Sequence, residues 1–201
     1  MPHTCVGRHE FPKRTELFVQ AMKLLPDLTG TAVGSGGRLG YVQRLDARLT
    51  ADLAPANLRA DAWLHNSGFI EPLSRPTPRS NVEFAGCVTA DELVARYRDS
   101  SCVVAPAYLE DYGLTALEAM AFGKPVLVCR DGGYLAHLVV DGVNGLVVDP
   151  DPQSLADAIR RIHEDASWAE HLGEAGRALA AEFTWDRALA ELDAGIEEVM
   201  A

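Results

Sequence analysis

The 201-residue chain is 48% hydrophobic and 23% charged, enough apolar material for one substantial α/β core and too much for a disordered or fibrous protein. Its formal net charge of -11 argues against a general nucleic-acid surface. The acidic surplus is uneven: residues 1–100 are close to neutral, and residues 101–201 carry almost all of it.

Thr4 to Gly7 forms a short apolar opening, read as a strand, and the loop GRHEFPKR follows it. A helical pattern then runs from Glu16 to Leu25 and stops before Pro26. Arg8 lies on the loop and Lys13 at the helix start; such flexible cations either reach a phosphate group or are solvated charges. Thr29 to Val33 reads as the second strand, GSGG as a glycine turn, and Tyr41 to Leu53 as a helix. Gly34, Gly36 and Gly40 nearly spell the dinucleotide fingerprint GxGxxG, with the third glycine one place late. Residues 55–81 lack periodicity and read as an irregular surface excursion, in which Trp63, Phe69 and Ile70 suggest packing or a partner and His65 has no ligand-spaced companion. Val82 to Cys87 is the third strand, and Thr89 with Asp91 and Glu92 opens the next helix as an N-cap with an acidic first turn.

The organising stretch is Ala105 to Val128. Val103 and Val104 end an apolar run, Pro106 breaks it, and Gly113 turns the loop into a helix over Leu114 to Phe122 that Gly123 and Pro125 terminate. The first amides of this helix, near Gly113, Leu114 and Thr115, have no intrahelical partner and sit at the positive end of the dipole, so a phosphate fits there. Glu110 precedes the helix. Glu118 shares the face of Leu114 among apolar neighbours, where it either holds ligand hydroxyls or points at solvent. Pro125 to Cys129 is a further strand, and beyond DGGYLAHLVVDGVNGLVVDP helical periodicities cover residues 155–163, 168–182 and 185–200. Cys5, Cys87, Cys102 and Cys129 lack pair spacing and read as free buried thiols of a reducing compartment. With no charged-then-apolar leader and no apolar run near the ~20 residues of a membrane helix, the expected location is cytoplasmic, with no transmembrane segment.

EDYGLTALEAMAFGKPV resembles the Ex7E segment of the retaining GT-B glycosyltransferases of family 4 (group 1), usually close to EGFGLxxLEAMAxGxPV. GRxxxxK at Arg8 and Lys13, FAGCVTADEL, the glycine turn and FTWD are similar to further motifs of that family, over nearly the whole chain. The resemblance implies an α/β fold, a Rossmann-like parallel sheet with helices on both faces, forming a single GT-B half. It implies that Arg8 and Lys13 contact a donor diphosphate, that Glu110 faces the transferred sugar, and that Glu118 holds the ribose diol. Tyr112, Gly113, Leu114 and Thr115 would supply the backbone cradle, and Gly34 and Val88 would lie near the nucleoside. No metal and no cofactor besides the nucleotide-diphosphate sugar is implied. The family's GGxxE segment lacks its Glu here, with Ala136 or His137 nearest its place. The implied partner is an N-terminal acceptor domain, in cis or in trans, toward which the last of the helices in residues 167–201 would pack; without it the chain would be inactive. A non-catalytic module that kept the donor fold and a nucleotide-sugar epimerase are the alternatives.

Overall fold

The computed structural model describes residues 1–52 and 80–200. The expected excursion at 55–81 therefore lies outside the described residues except for Ser80 and Asn81, and Trp63, His65, Phe69 and Ile70 fall there too. In chain order the elements are β1 (His3–Val6), a 3-10 turn (Phe11–Lys13), α1 (Thr15–Lys23), β2 (Gly30–Val33), α2 (Leu39–Asp52), β3 (Val82–Gly86) and α3 (Ala90–Asp99). The second half gives β4 (Cys102–Ala105), α4 (Leu114–Ala121), β5 (Val126–Cys129), α5 (Leu135–Leu138), β6 (Gly145–Val148), α6 (Pro152–Glu164), α7 (Ala166–Ala180) and α8 (Trp185–Met200).

The strands form one sheet of six in the order β3-β2-β1-β4-β5-β6, and every pairing is parallel. A parallel sheet needs helical crossovers, which cover both faces, so its inner strands are apolar throughout rather than alternating. Cys102, Val104, Leu127 and Cys129 point into the core shared with α1, α2 and α6. Their neighbours Val103, Ala105, Val126 and Val128 pack on the opposite side against Tyr97 of α3, Ala116, Ala119 and Met120 of α4, and Leu135 of α5. At about 25 cal/mol per Å² of apolar surface removed from water, these two layers are the main source of stability.

Local signals explain the helix boundaries. Thr89 and Glu92 form a reciprocal capping box at α3. Asp151 accepts from the amides of Gln153 and Ser154 at 2.9 Å to start α6, whose first residue is Pro152. Gly123, at φ +66, lets the chain leave α4. The short helix α5 has no periodic sequence signal, because four residues make barely one turn. One expectation is corrected: Cys5, Cys102 and Cys129 are buried, but Cys87 is exposed. It lies one residue past β3, where the chain leaves the sheet, and its thiol donates to Ser35 Oγ at 3.1 Å.

The strand order fixes where a ligand fits. From β1 the chain winds outward to β2 and β3, then returns to β4 on the other side of β1 and winds outward again through β5 and β6. The loops leaving the C-terminal ends of β1 and β4 therefore diverge, and the crevice between them is the sheet's topological switch point.

Candidate functional site

A cleft of about 270 Å³ lies at this switch point. One wall is the loop after β1, with Gly7, Arg8 and Lys13; the other is the loop after β4 and the start of α4, with Glu110, Tyr112, Gly113, Leu114 and Thr115. Seven of the ten expected site residues thus border one cleft. Gly34, Val88 and Glu118 occupy other places, described below.

The helix end is built for close approach. Gly113, at φ +79, is the N-cap of α4, and no side chain caps the helix or places acid in its first turn. A Cβ at Gly113 would come within 2.6 Å of Leu135 Cδ2, so α5 packs where a side chain would stand. The amides of Leu114 and Thr115 open the helix without partners inside it, and the positive end of its dipole is left uncompensated by acid from its own first turn.

Lys13 Nζ is hydrogen-bonded to Glu110 Oε2 across the cleft, and both side chains remain partly accessible. Arg8 is exposed on the same rim. The Glu110 backbone is fixed by the loop after β5: Leu109 donates to the Asp131 carbonyl at 3.1 Å, Glu110 to that of Gly132 at 3.0 Å, and Tyr134 to that of Glu110 at 2.9 Å. Gly133, at φ +64, permits this, since a Cβ there would approach the Glu110 backbone within 2.9 Å. Tyr112 and Tyr134 stack with ring centroids 6.2 Å apart at the outer rim.

Glu118 is one helical turn behind Leu114. It is exposed, and Tyr97, otherwise buried in the second core layer, donates its hydroxyl to Glu118 Oε2 at 2.6 Å. Burial first, and then this bond, push the Tyr97 phenol upward, so it stays a donor. The carboxylate is thus positioned by a tyrosine and keeps its other oxygen for solvent or a ligand.

Gly34 lies where the loops after β1, β2 and β3 meet. Its amide donates to the Gly86 carbonyl at 2.8 Å, and a side chain would collide with the Gly7 carbonyl oxygen. The GSGG turn follows β2 and braces the loop of β1, whereas a dinucleotide fingerprint follows the first strand of its unit. Val88 is half-buried beyond β3 on the same edge of the sheet.

Residues outside the sequence reading also shape the cleft. Thr15 borders it and pairs through Oγ1 with Nδ1 of the buried His9 at 2.9 Å; burial holds the His9 imidazole below its usual range. Cys5 lies at the floor with its thiol pushed up to about 12, chiefly by burial and then by Glu16, so it is no thiolate nucleophile near neutral pH. Arg14 and Asp131 stand behind the Glu110 loop. No periodicity or motif marks them, because they act on the loop through tertiary contact. His137, at the place of the family's missing Glu, is exposed. Among the described residues no group of three His, Cys, Asp or Glu side chains is placed to hold a metal ion, and no helix is long and apolar enough to cross a membrane.

The family description "Glycosyl transferases group 1" matches residues 77–179, just over half of the chain. The D-inositol 3-phosphate glycosyltransferase of Thermobifida fusca is 32% identical over 188 residues, covering 90% of this chain and 38% of that protein. Sucrose-phosphate synthase from Thermosynechococcus elongatus superposes with a TM-score of 0.72 at 27% identity, covering 99% of this chain and 45% of that one. Anabaena Alr3699/HepE, solved in complex with UDP, gives a TM-score of 0.72 at 25% identity, covering 96% and 48%. The chain spans less than half the length of each of these proteins.

Proposed function

Because the chain belongs to the glycosyl transferases group 1 family, we propose that it is the donor-binding half of a two-domain GT-B enzyme of family 4 that transfers a hexosyl group from a nucleoside diphosphate sugar with retention. The observation that carries this reading is the convergence of Lys13, Glu110 and the uncapped first turn of α4 on one cleft at the switch point.

In this reading the diphosphate lies against Arg8, Lys13 and the Leu114 and Thr115 amides. The anomeric C–O bond breaks with its electron pair on the phosphate oxygen, and these preorganised donors stabilise the charge that appears there. The acceptor oxygen bonds to the anomeric carbon on the same face, and its proton passes to the released phosphate oxygen. Glu110 accepts from hydroxyls of the sugar, so donor entry exchanges the Lys13 pairing for two ligand contacts. Glu118, held by Tyr97, takes the ribose diol; Tyr112 and Gly113 complete the cradle, and Gly34 and Val88 flank the nucleoside. The step uses no metal and no cofactor beyond the donor itself.

The acceptor comes from a second domain, in cis or in trans. Support for this lies in α8: all its residues are exposed, and Trp185, Leu189, Leu192, Ile196 and Val199 line one side of it at helical spacing. We place the enzyme in the cytoplasm, a setting that suits its free buried thiols.

Calorimetric titration of UDP, GDP and ADP tests the assignment, with UDP first because the Anabaena relative holds it. Lys13→Ala and Glu118→Ala are each expected to lower affinity for the preferred nucleotide about tenfold or more. Unchanged affinity in both variants would remove the roles given to these residues.

A further inference from the structure

Arg14 occupies a conformation that its chemistry disfavours. It joins the 3-10 turn to α1 at φ 47, ψ 41, in the left-handed region where L side chains are strained and glycine is at ease. Its side chain is also buried, with the residue only 4% exposed, which is unusual for a guanidinium. Strain and burial of a charge at one position persist where the surroundings over-determine them.

Those surroundings are specific. Arg14 Nη2 donates to Asp131 Oδ1 at 2.6 Å, and the guanidinium carbon lies 5.3 Å from the centre of the Tyr108 ring. Both partners flank Glu110. Asp131 accepts from the Leu109 amide through its own carbonyl and begins the loop whose next residue, Gly132, accepts from the Glu110 amide. Tyr108 donates its amide to the Pro12 carbonyl at 2.7 Å, back in the turn that ends in Lys13. Leu109, between Tyr108 and Glu110, is the other non-glycine residue with positive φ among the described residues, at 46°. Arg14 therefore sits where the Lys13 turn, the Glu110 loop and the Asp131 loop meet.

Resting on the donor reading above, we propose that Arg14 is a positioning residue for sugar recognition: its buried guanidinium ties Asp131 and Tyr108 together and thereby sets where Glu110 stands over the cleft. Of the diphosphate contacts, those of Arg8 and the α4 amides involve neither Arg14 nor its two partners, and the Lys13 amide is held separately by the Glu10 carbonyl at 3.0 Å. Arg14 thus acts on the sugar end of the donor and not on the nucleotide end.

The experiment compares wild type, Arg14→Gly, Arg14→Lys, Asp131→Asn and Glu110→Ala by two readouts. Calorimetry uses the pairs UDP and UDP-glucose, GDP and GDP-mannose, and ADP and ADP-glucose. Arg14→Gly, which relieves the backbone strain but removes the strut, is expected to weaken binding of the sugar nucleotide about tenfold while the matching free nucleotide changes less than about twofold, the pattern of Glu110→Ala. Arg14→Lys, which keeps a charge near Asp131, is expected to recover part of the loss. Amide hydrogen exchange reads the position without ligand: Leu109 and Glu110 exchange about tenfold faster or more in Arg14→Gly and in Asp131→Asn, with Met120 of α4 unchanged. Equal loss of both members of a pair, or wild-type exchange at Leu109 and Glu110 in both variants, would overturn the proposal. If wild type binds none of the pairs while exchange at Leu109 and Glu110 still follows Arg14, the donor reading fails and the strut stands.

Discussion

At the scale of single residues, the clearest consequence beyond the cleft concerns His3. It lies fully buried at the start of β1, with Nδ1 3.3 Å from Cys102 Sγ and its ring 5.6 Å from that of His163. Burial first, and then His163, lower its pKa from 6.5 to about 4. Between those values the unfolded chain binds a proton that the native chain refuses, so stability rises with pH across this window and is lost as pH falls from 6.5 toward 4. The full effect is up to about 3 kcal/mol. Urea unfolding from pH 4.5 to 7 is expected to show a pH slope that His3→Gln reduces; an identical slope in the variant would refute this. Gly34 gives a second residue-scale expectation. Its φ is +128 and a side chain there would strike the Gly7 carbonyl, so Gly34→Ala is expected to destabilise by about 2 kcal/mol or more, measured by urea midpoint. The Lys13 and Glu110 pairing, being partly exposed, contributes only about 0–1 kcal/mol, so Lys13→Ala separates binding from stability.

At the scale of elements, α7 and α8 make an instructive pair. Both show apolar spacing of helical period, and the sequence does not distinguish them. Leu172 of α7 is 1% exposed and packs in the fold, whereas Trp185 of α8 is 84% exposed. Leu172→Ala is therefore expected to cost about 2–5 kcal/mol, while Leu192→Glu is expected to leave the unfolding midpoint of this chain unchanged. If α8 docks on an acceptor domain, Leu192→Glu abolishes co-purification with that domain; retained co-purification would count against the docking. The same contrast shows what sequence reading reaches. Continuous apolar runs marked β4 and β5, and Thr89, Gly113 and Gly123 marked helix ends, because those signals are local. The spacing of Arg8, Lys13 and Glu110 revealed the cleft only through resemblance to a family, since nothing local joins residues about a hundred positions apart. Arg14, Asp131 and the hydroxyl of Tyr97 were not legible, because each acquires its role from a tertiary contact. Cys87 was misread because one residue past the strand end separates a buried thiol from an exposed one.

At the scale of the whole molecule, the sheet order does most to place the chemistry. Two outward windings from a shared centre leave one gap, and the cationic turn, the carboxylate loop and the bare helix end all border that gap. Most acidic residues of the second half lie from Asp141 onward, around β6 and on the last three helices rather than in the cleft, so a strongly negative protein can still offer cations to an anionic ligand.

That same winding has a consequence for biosynthesis. His3 pairs with Cys102, so one flank of the innermost strand waits nearly a hundred residues for its neighbour, although its other flank is filled by β2. A nascent polypeptide that has emerged only as far as α3 presents an open, apolar edge at the heart of the future fold, the kind of surface that templates aggregation and that chaperones shield.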